Sequence, residues 1–158
     1  NKYFHIDHNG KPIYKERYND VDSFREGLAV VSTYNKQFHI DHNGKPAYKE
    51  GFFFAGDFCE GLAVVRKDNK YFHIDRKGKP VYKERYDYVG DFCEGLARIS
   101  TDDTSKGFHI DHNGKPAYKE RYDLVENFYE GLALARKDGE FFNIDHNGKR
   151  IEPSTKKN

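Results

Sequence analysis

Hydrophobic and polar residues alternate along this chain in short runs that return at a fixed interval. The run Tyr71-Phe-His-Ile-Asp75 puts Phe72 and Ile74 on one side of an extended backbone and Tyr71, His73 and Asp75 on the other. The phrase Phe-His-Ile-Asp begins at Phe4, Phe38, Phe72 and Phe108 and returns as Phe-Asn-Ile-Asp at Phe142, at spacings of 34, 34, 36 and 34. A second phrase, Glu-Gly-Leu-Ala, begins at Glu26, Glu60, Glu94 and Glu130 and keeps the same beat. Self-similarity at this period marks a repeat architecture. The two additional residues of the third interval fall within residues 100–107, and a tolerated insertion marks a loop tip.

Each unit divides into three strand-like runs separated by turn residues. The first is Leu62-Ala-Val-Val-Arg66, whose Ala63 and Val65 share a face. The third copy has Arg98 in place of Val64, so the Ala63/Val65 face is the expected core. Asp68-Asn69 or Asp138-Gly139 then reads as a tight hairpin turn into the Phe-His-Ile run. One face of that run is expected to be apolar and the other polar, with His73 and Asp75 on the solvated side. The turn Asp7-His-Asn-Gly-Lys11 and its equivalents carry Gly10, Gly44, Gly78, Gly114 and Gly148, where positive φ is expected. The third run, typified by Pro80-Val-Tyr-Lys-Glu84, opens with proline in four of five copies, which suits an edge strand. The stretch from Arg85 to Phe92 reads as a packed connection pinned by rings at both ends, Tyr86 and Phe92.

Composition sharpens this picture. Hydrophobic residues make up 36% of the chain and charged residues 34%, yet 16% are aromatic, so the interior must be built largely from rings. Lys and Arg (27) balance Asp and Glu (26) and are interspersed, which argues against nucleic acid or an anionic membrane as partner. No run of 18 apolar residues and no signal-peptide pattern is visible. Two cysteines do not make a disulfide framework, so a reducing compartment, the cytoplasm, is slightly favoured.

The aromatic residue before His-Ile-Asp, the Gly-Lys turn, then Tyr-Asp, Gly-Asp-Phe and Glu-Gly-Leu-Ala together resemble the WG-repeat family of bacterial proteins, over Tyr3 to Ile151. The Trp-Gly dipeptide is absent, and Phe72-His73 and its equivalents stand in its place. The resemblance implies a β-rich repeat scaffold and no particular reaction.

The expected fold is all-β: tandem antiparallel three-stranded repeats of about 34 residues. These would form an open β array or superhelix, the alternative being a small closed β-propeller of about five blades. The repeat domain covers residues 1–152, with copies at about 1–34, 35–68, 69–104, 105–138 and a partial copy at 139–152; residues 153–158 form a polar tail.

Candidate sites divide by whether copies agree. Tyr14, Tyr48, Tyr82 and Tyr118, flanked by Lys15, Lys49, Lys83 and Lys119, could line a binding face for a peptide or sugar, or pack between units. Arg25, Cys59, Cys93 and Tyr129 occupy one repeat position where copies differ, which is where a specific site is expected. His73 with Asp75 has the spacing of a metal pair, but the structural reading, a turn-initiating Asp beside a solvated imidazole, is preferred and no metal is assigned. The Asp-His-Asn-Gly turn lacks the downstream carboxylate of a calcium loop. The recurring Glu60-Gly61 pair reads as turn chemistry rather than catalysis, because every copy repeats the same surroundings. The expectation is therefore a non-enzymatic scaffold with no cofactor that binds a protein or peptide. A carbohydrate-binding module using the aromatic row is the alternative.

Overall fold

A computed structural model of the chain describes residues 1–101 and 106–152. Residues 102–105 of the 100–107 loop and all of the 153–158 tail named above lie outside these residues. The described residues are all-β and contain no helix, so no helix is long and apolar enough to cross a membrane. The strands are β1 (Asp20–Val21), β2 (Ala29–Thr33), β3 (Lys36–Ile40), β4 (Phe54–Cys59), β5 (Leu62–Lys67), β6 (Lys70–Ile74), β7 (Tyr88–Cys93), β8 (Leu96–Ser100), β9 (Phe108–Ile110), β10 (Leu124–Val125), β11 (Ala133–Lys137), β12 (Glu140–Ile144) and β13 (Arg150–Ile151). They form open antiparallel sheets in two compact units. Residues 1–83 hold the sheets β1-β2-β3 and β4-β5-β6; residues 84–158 hold β7-β8-β9 and β10-β11-β12-β13. Among the described residues no sheet closes into a barrel.

The hairpin at the heart of each sheet joins the Leu-Ala run to the Phe-His-Ile run, as the alternation predicts. In β5-β6, Ala63 faces Ile74 and Val65 faces Phe72, and all four are buried. Asp68 and Asn69 both have positive φ, the geometry of a two-residue turn whose twist matches the strands it joins.

The third strand of each sheet is not the proline run. That run makes one bridge to the preceding strand, as at Ile40–Pro46 and Ile74–Pro80, and then bends away. Proline has no N–H to extend the ladder, and the following residue closes the contact instead, Ala47 donating to the carbonyl of His39 at 2.9 Å. The expected packed connection supplies the strand. In β4 and β7 it runs for six residues, with a register shift between Ala55 and Phe58 and between Val89 and Phe92. Gly56 and Gly90 lie within these bulges, where a glycine eases the local bend. Asp22 and Glu126 hold the same repeat position in the first and fourth copies, and there the strand shrinks to two residues, β1 and β10.

Rings fill the space between neighbouring sheets, as the composition requires. In the first unit Tyr14, Tyr18, Ala29, Val31 and Ile40 form a core against which Ile13, Val21, Phe24 and Phe38 pack. Tyr18 meets Phe38 edge-on at 6.0 Å, and Phe52 meets Phe72 in the same way at 6.2 Å. In the second unit Tyr122 meets Phe142 at 5.8 Å. Edge-on geometry sets the positive rim of one ring against the negative face of the other.

Candidate functional site

The histidines of the Phe-His-Ile phrase are not on a solvated face. His39, His73 and His109 are fully buried, which corrects the expectation of one polar side to each hairpin. Each is reached by the tyrosine nine residues on: His39 Nδ1 lies 2.6 Å from Tyr48 Oη, His73 Nδ1 2.6 Å from Tyr82 Oη, and His109 Nδ1 2.6 Å from Tyr118 Oη. His5 and Tyr14 make the same pair. The other ring nitrogen faces a backbone carbonyl 17 residues on, that of Asp22, Gly56 or Glu126 for His5, His39 and His109.

These contacts determine the protonation pattern. A carbonyl can only accept, so Nε2 carries the hydrogen; Nδ1 is then the acceptor and the tyrosine donates. Burial favours the same neutral form, lowering His39 and bringing His109 down to about 4. Burial also raises Tyr48 and Tyr118 above the ordinary phenol range, so both remain donors. In His5, His39 and His109 neither nitrogen is left for a metal. Among the described residues, no three His, Cys, Asp or Glu side chains are grouped to share a cation.

The tyrosine row therefore belongs to the interior. Tyr14, Tyr82 and Tyr118 are buried and Tyr48 is half-buried, which matches the packing alternative rather than an exposed aromatic face. The rings of Tyr14 and Tyr48 press on the Asp-x-x-Gly turn of the following copy. A Cβ on Gly44 would lie 2.6 Å from Tyr14 Cβ, and one on Gly78 2.6 Å from Tyr48 Cγ. Each glycine is needed twice over, for its positive φ and for the approach of the ring.

The second histidines His42, His112 and His146 each join a ring of the preceding copy. Phe24 lies between His5 at 4.6 Å and His42 of the next copy, stacked at 3.9 Å. Phe58 lies between His39 and the Arg76 guanidinium, and Phe128 between His109 and His146. The acidic groups are likewise engaged. Asp41 Oδ1 accepts the amides of Asn43 at 2.9 Å and Lys45 at 3.0 Å, and the other copies repeat this turn. The Glu-Gly pairs form the β4-β5 type of turn, with positive φ at both residues. The Glu26 carboxylate accepts the amide of Gly61 in the next copy at 3.0 Å, and Glu94 accepts that of Gly131 at 3.0 Å. The glutamate is thus a backbone acceptor, as expected, but the turn it serves belongs to its neighbour.

At the variable position, Arg25 is exposed and pairs with Asp57 at 3.7 Å. Tyr129 is 75% exposed. Cys59 and Cys93 are half-buried and end β4 and β7.

Two residues that sequence reading passed over distinguish the second copy. Where other copies read Lys-Glu-Arg-Tyr followed by Asn19, Asp87 or Asp123, the second reads Lys49-Glu-Gly-Phe-Phe53. Phe53 is 72% exposed, with the Arg66 guanidinium 5.1 Å from its ring and 5.5 Å from that of Tyr71. Phe54, also exposed, lies 6.3 Å from Tyr71. Aligning the copies would have exposed both departures, Arg to Gly51 and Asp to Phe53.

None of the curated proteins compared with this chain matches it. Among solved structures, one described as "KlHsv2 with loop 6CD replaced by a Gly-Ser linker" superposes with a TM-score of 0.55 at 10% identity. The superposition covers 95% of this chain and 60% of that one, a β-propeller-like fold. At this identity the likeness speaks to the fold alone. The WG containing repeat matches four times in tandem, at residues 5–36, 40–71, 74–104 and 110–141, which take in most of the sequence. Tandem sheets built on this beat, with Phe-His in place of Trp-Gly, place the chain in the WG containing repeat family.

Proposed function

We propose that this chain is a non-enzymatic repeat scaffold that holds a protein or peptide partner against its second copy. The observation that carries the reading is the exposed pair Phe53 and Phe54 beside half-buried Arg66 and Tyr71, with Phe53 standing where other copies have Asn19, Asp87 or Asp123. Aromatic and arginine side chains are the ones that carry most binding energy at protein interfaces, and Phe53 adds an exposed ring where the other copies have Asn19, Asp87 or Asp123, which singles the second copy out. The groups that acid–base chemistry would recruit support the same reading. His39, His109, Asp41 and Glu26 are each engaged by backbone or ring partners that recur from copy to copy.

The carbohydrate alternative loses its original platform, because the Tyr14, Tyr48, Tyr82 and Tyr118 row lies largely inside. It would have to use the Phe53 cluster. Peptides selected from a random display library against the folded chain provide the test. Phe53→Asp should weaken their binding by about tenfold or more while leaving the melting temperature unchanged. Selected peptides that bind Phe53→Asp as tightly as the parent would refute this surface. Binding on a glycan array that is lost in Phe53→Asp would move the reading to carbohydrate.

A further inference from the structure

The arginine that Gly51 replaces has a defined seat elsewhere in the chain. In the first copy the Arg17 guanidinium lies 3.8 Å above the Phe4 ring, and Nη1 donates to the carbonyls of Tyr14 at 3.2 Å, Lys15 at 2.9 Å and Glu16 at 2.8 Å. In the fourth copy Arg121 lies 4.1 Å above Phe108, with Nη1 reaching the carbonyls of Tyr118 at 3.1 Å, Lys119 at 3.1 Å and Glu120 at 2.8 Å. Arg85 repeats the last contact, to the Glu84 carbonyl at 2.8 Å. A ring face and three converging carbonyls thus form a guanidinium seat, built twice with the same geometry.

The second copy keeps the seat and lacks the occupant. Tyr48-Lys49-Glu50 has the same sequence as the segments that hold Arg17 and Arg121, and Phe38 is the corresponding ring. Among the described residues no side chain donates to the carbonyls of Tyr48, Lys49 or Glu50. Phe38 is half-buried, between Phe108 under Arg121 at 8% exposed and Phe4 under Arg17 at 37%. Beside them opens a groove of ≈ 510 Å³, lined by Phe38, Pro46, Tyr48, Lys49, Glu50 and Gly51 among others.

We propose that this groove is a guanidinium-binding site that takes an arginine side chain presented by a peptide or protein partner. The proposal rests on the reading of the chain as a partner-binding scaffold and names the chemistry of the partner. The attraction comes from the carbonyl dipoles and the ring face; the Glu50 carboxylate is already paired with Lys67. Lys36, Lys45 and Lys49 at the groove do not bar a cation, because Lys2, Lys11 and Lys15, and Lys106, Lys115 and Lys119, hold the same sequence positions in the copies with filled seats. Arginine is preferred to lysine for a physical reason. Its planar, weakly hydrated head lies flat on a ring while its N–H groups reach the carbonyls, whereas an ammonium gives up more hydration for a poorer fit.

The experiment uses short capped peptides containing one arginine, one lysine or one citrulline, titrated into the isotope-labelled chain and followed by its amide resonances. The arginine peptide should produce saturable shifts at residues 48–52, with lysine and citrulline about fivefold weaker or worse. Gly51→Arg supplies the missing side chain from the chain itself and should abolish binding. The Lys36 stem must shift to admit it, since Lys36 Cδ would lie 2.8 Å from the new Cβ. Should Gly51→Arg fail to fold, Phe38→Leu decides, with an expected loss of about fivefold.

Equal binding of the lysine peptide would overturn the proposal, as would undiminished binding by folded Gly51→Arg or by Phe38→Leu. So would the absence of saturable shifts at residues 48–52 up to about 50 mM peptide. Shifts confined to Phe53, Phe54 and Arg66 would refute the guanidinium seat and leave the partner surface standing. Shifts at residues 48–52 that persist in Phe53→Asp would do the reverse.

Discussion

The imidazole of His109 and the phenol of Tyr118 share one hydrogen bond of 2.6 Å whose direction is set by a third group, the Glu126 carbonyl, 2.9 Å from the other ring nitrogen. The carbonyl holds the hydrogen on Nε2, so Nδ1 must accept and Tyr118 must donate. The triad ties the Phe-His-Ile strand to the bend after the proline and to the segment that opens the next sheet. It explains how a β-repeat of this size can bury a polar ring at the centre of the β2-β3, β5-β6 and β8-β9 hairpins.

Tyr118→Phe removes the donor and leaves Nδ1 buried without a partner. The expected loss is about 1–3 kcal/mol of unfolding free energy, since an unsatisfied buried acceptor costs its full desolvation. Tyr34→Phe, at a ring 87% exposed, should change nothing measurable. Urea denaturation of the two variants beside the parent makes the comparison.

Acid should unfold the chain in the window set by this histidine. Burial brings His109 to about 4 in the folded state, against an ordinary value near 6.5. Between those values the unfolded chain binds a proton that the native chain refuses, so stability is full above about pH 6.5 and falls as pH drops toward 4. One such group corresponds to about 3 kcal/mol at most, and His39 moves in the same direction. His109→Asn, which adopts the residue that the fifth copy has at Asn143, should flatten this part of the profile. An unchanged slope would mean that the imidazole does not control it.

Two glycines with the same backbone angle should respond differently to a methyl group. Gly44 and Gly61 have φ of +77° and +78°, but a Cβ on Gly44 would strike the Tyr14 ring system, whereas one on Gly61 meets nothing within 4 Å. Gly61→Ala carries the cost of left-handed backbone alone, about 1–2 kcal/mol. Gly44→Ala adds overpacking and should cost about 3 kcal/mol or more. Thermal unfolding monitored by circular dichroism separates the two.

Asp41→Ala removes the acceptor for the amides of Asn43 and Lys45. The turn remains exposed to water, so the expected penalty is modest, about 1–2 kcal/mol. Equilibrium denaturation measures it, and an unaltered midpoint would show that water replaces the carboxylate without loss.

Period, strand alternation and turn chemistry were legible in the residues themselves, because each depends on neighbours within a few positions. The Ala63/Val65 face, the Asp-initiated turn and the Asp68-Asn69 hairpin follow from spacing and from the conformational limits of single residues. Which stretch completes each sheet was not legible. Pro80-Val-Tyr and Tyr88–Cys93 both have strand-like residues, and the choice turned on a missing proline N–H and on the bulges that Gly56 and Gly90 ease. The histidines were misplaced for a related reason. Local alternation labels a polar side chain as outward, and only the arrival of a tyrosine nine residues on and a carbonyl 17 residues on makes its burial favourable. The amino-acid sequence alone determined the beat and the elements. The tertiary structure decided which polar groups are satisfied inside, and so which surfaces remain for a partner, because satisfaction depends on groups that meet only after the copies pack.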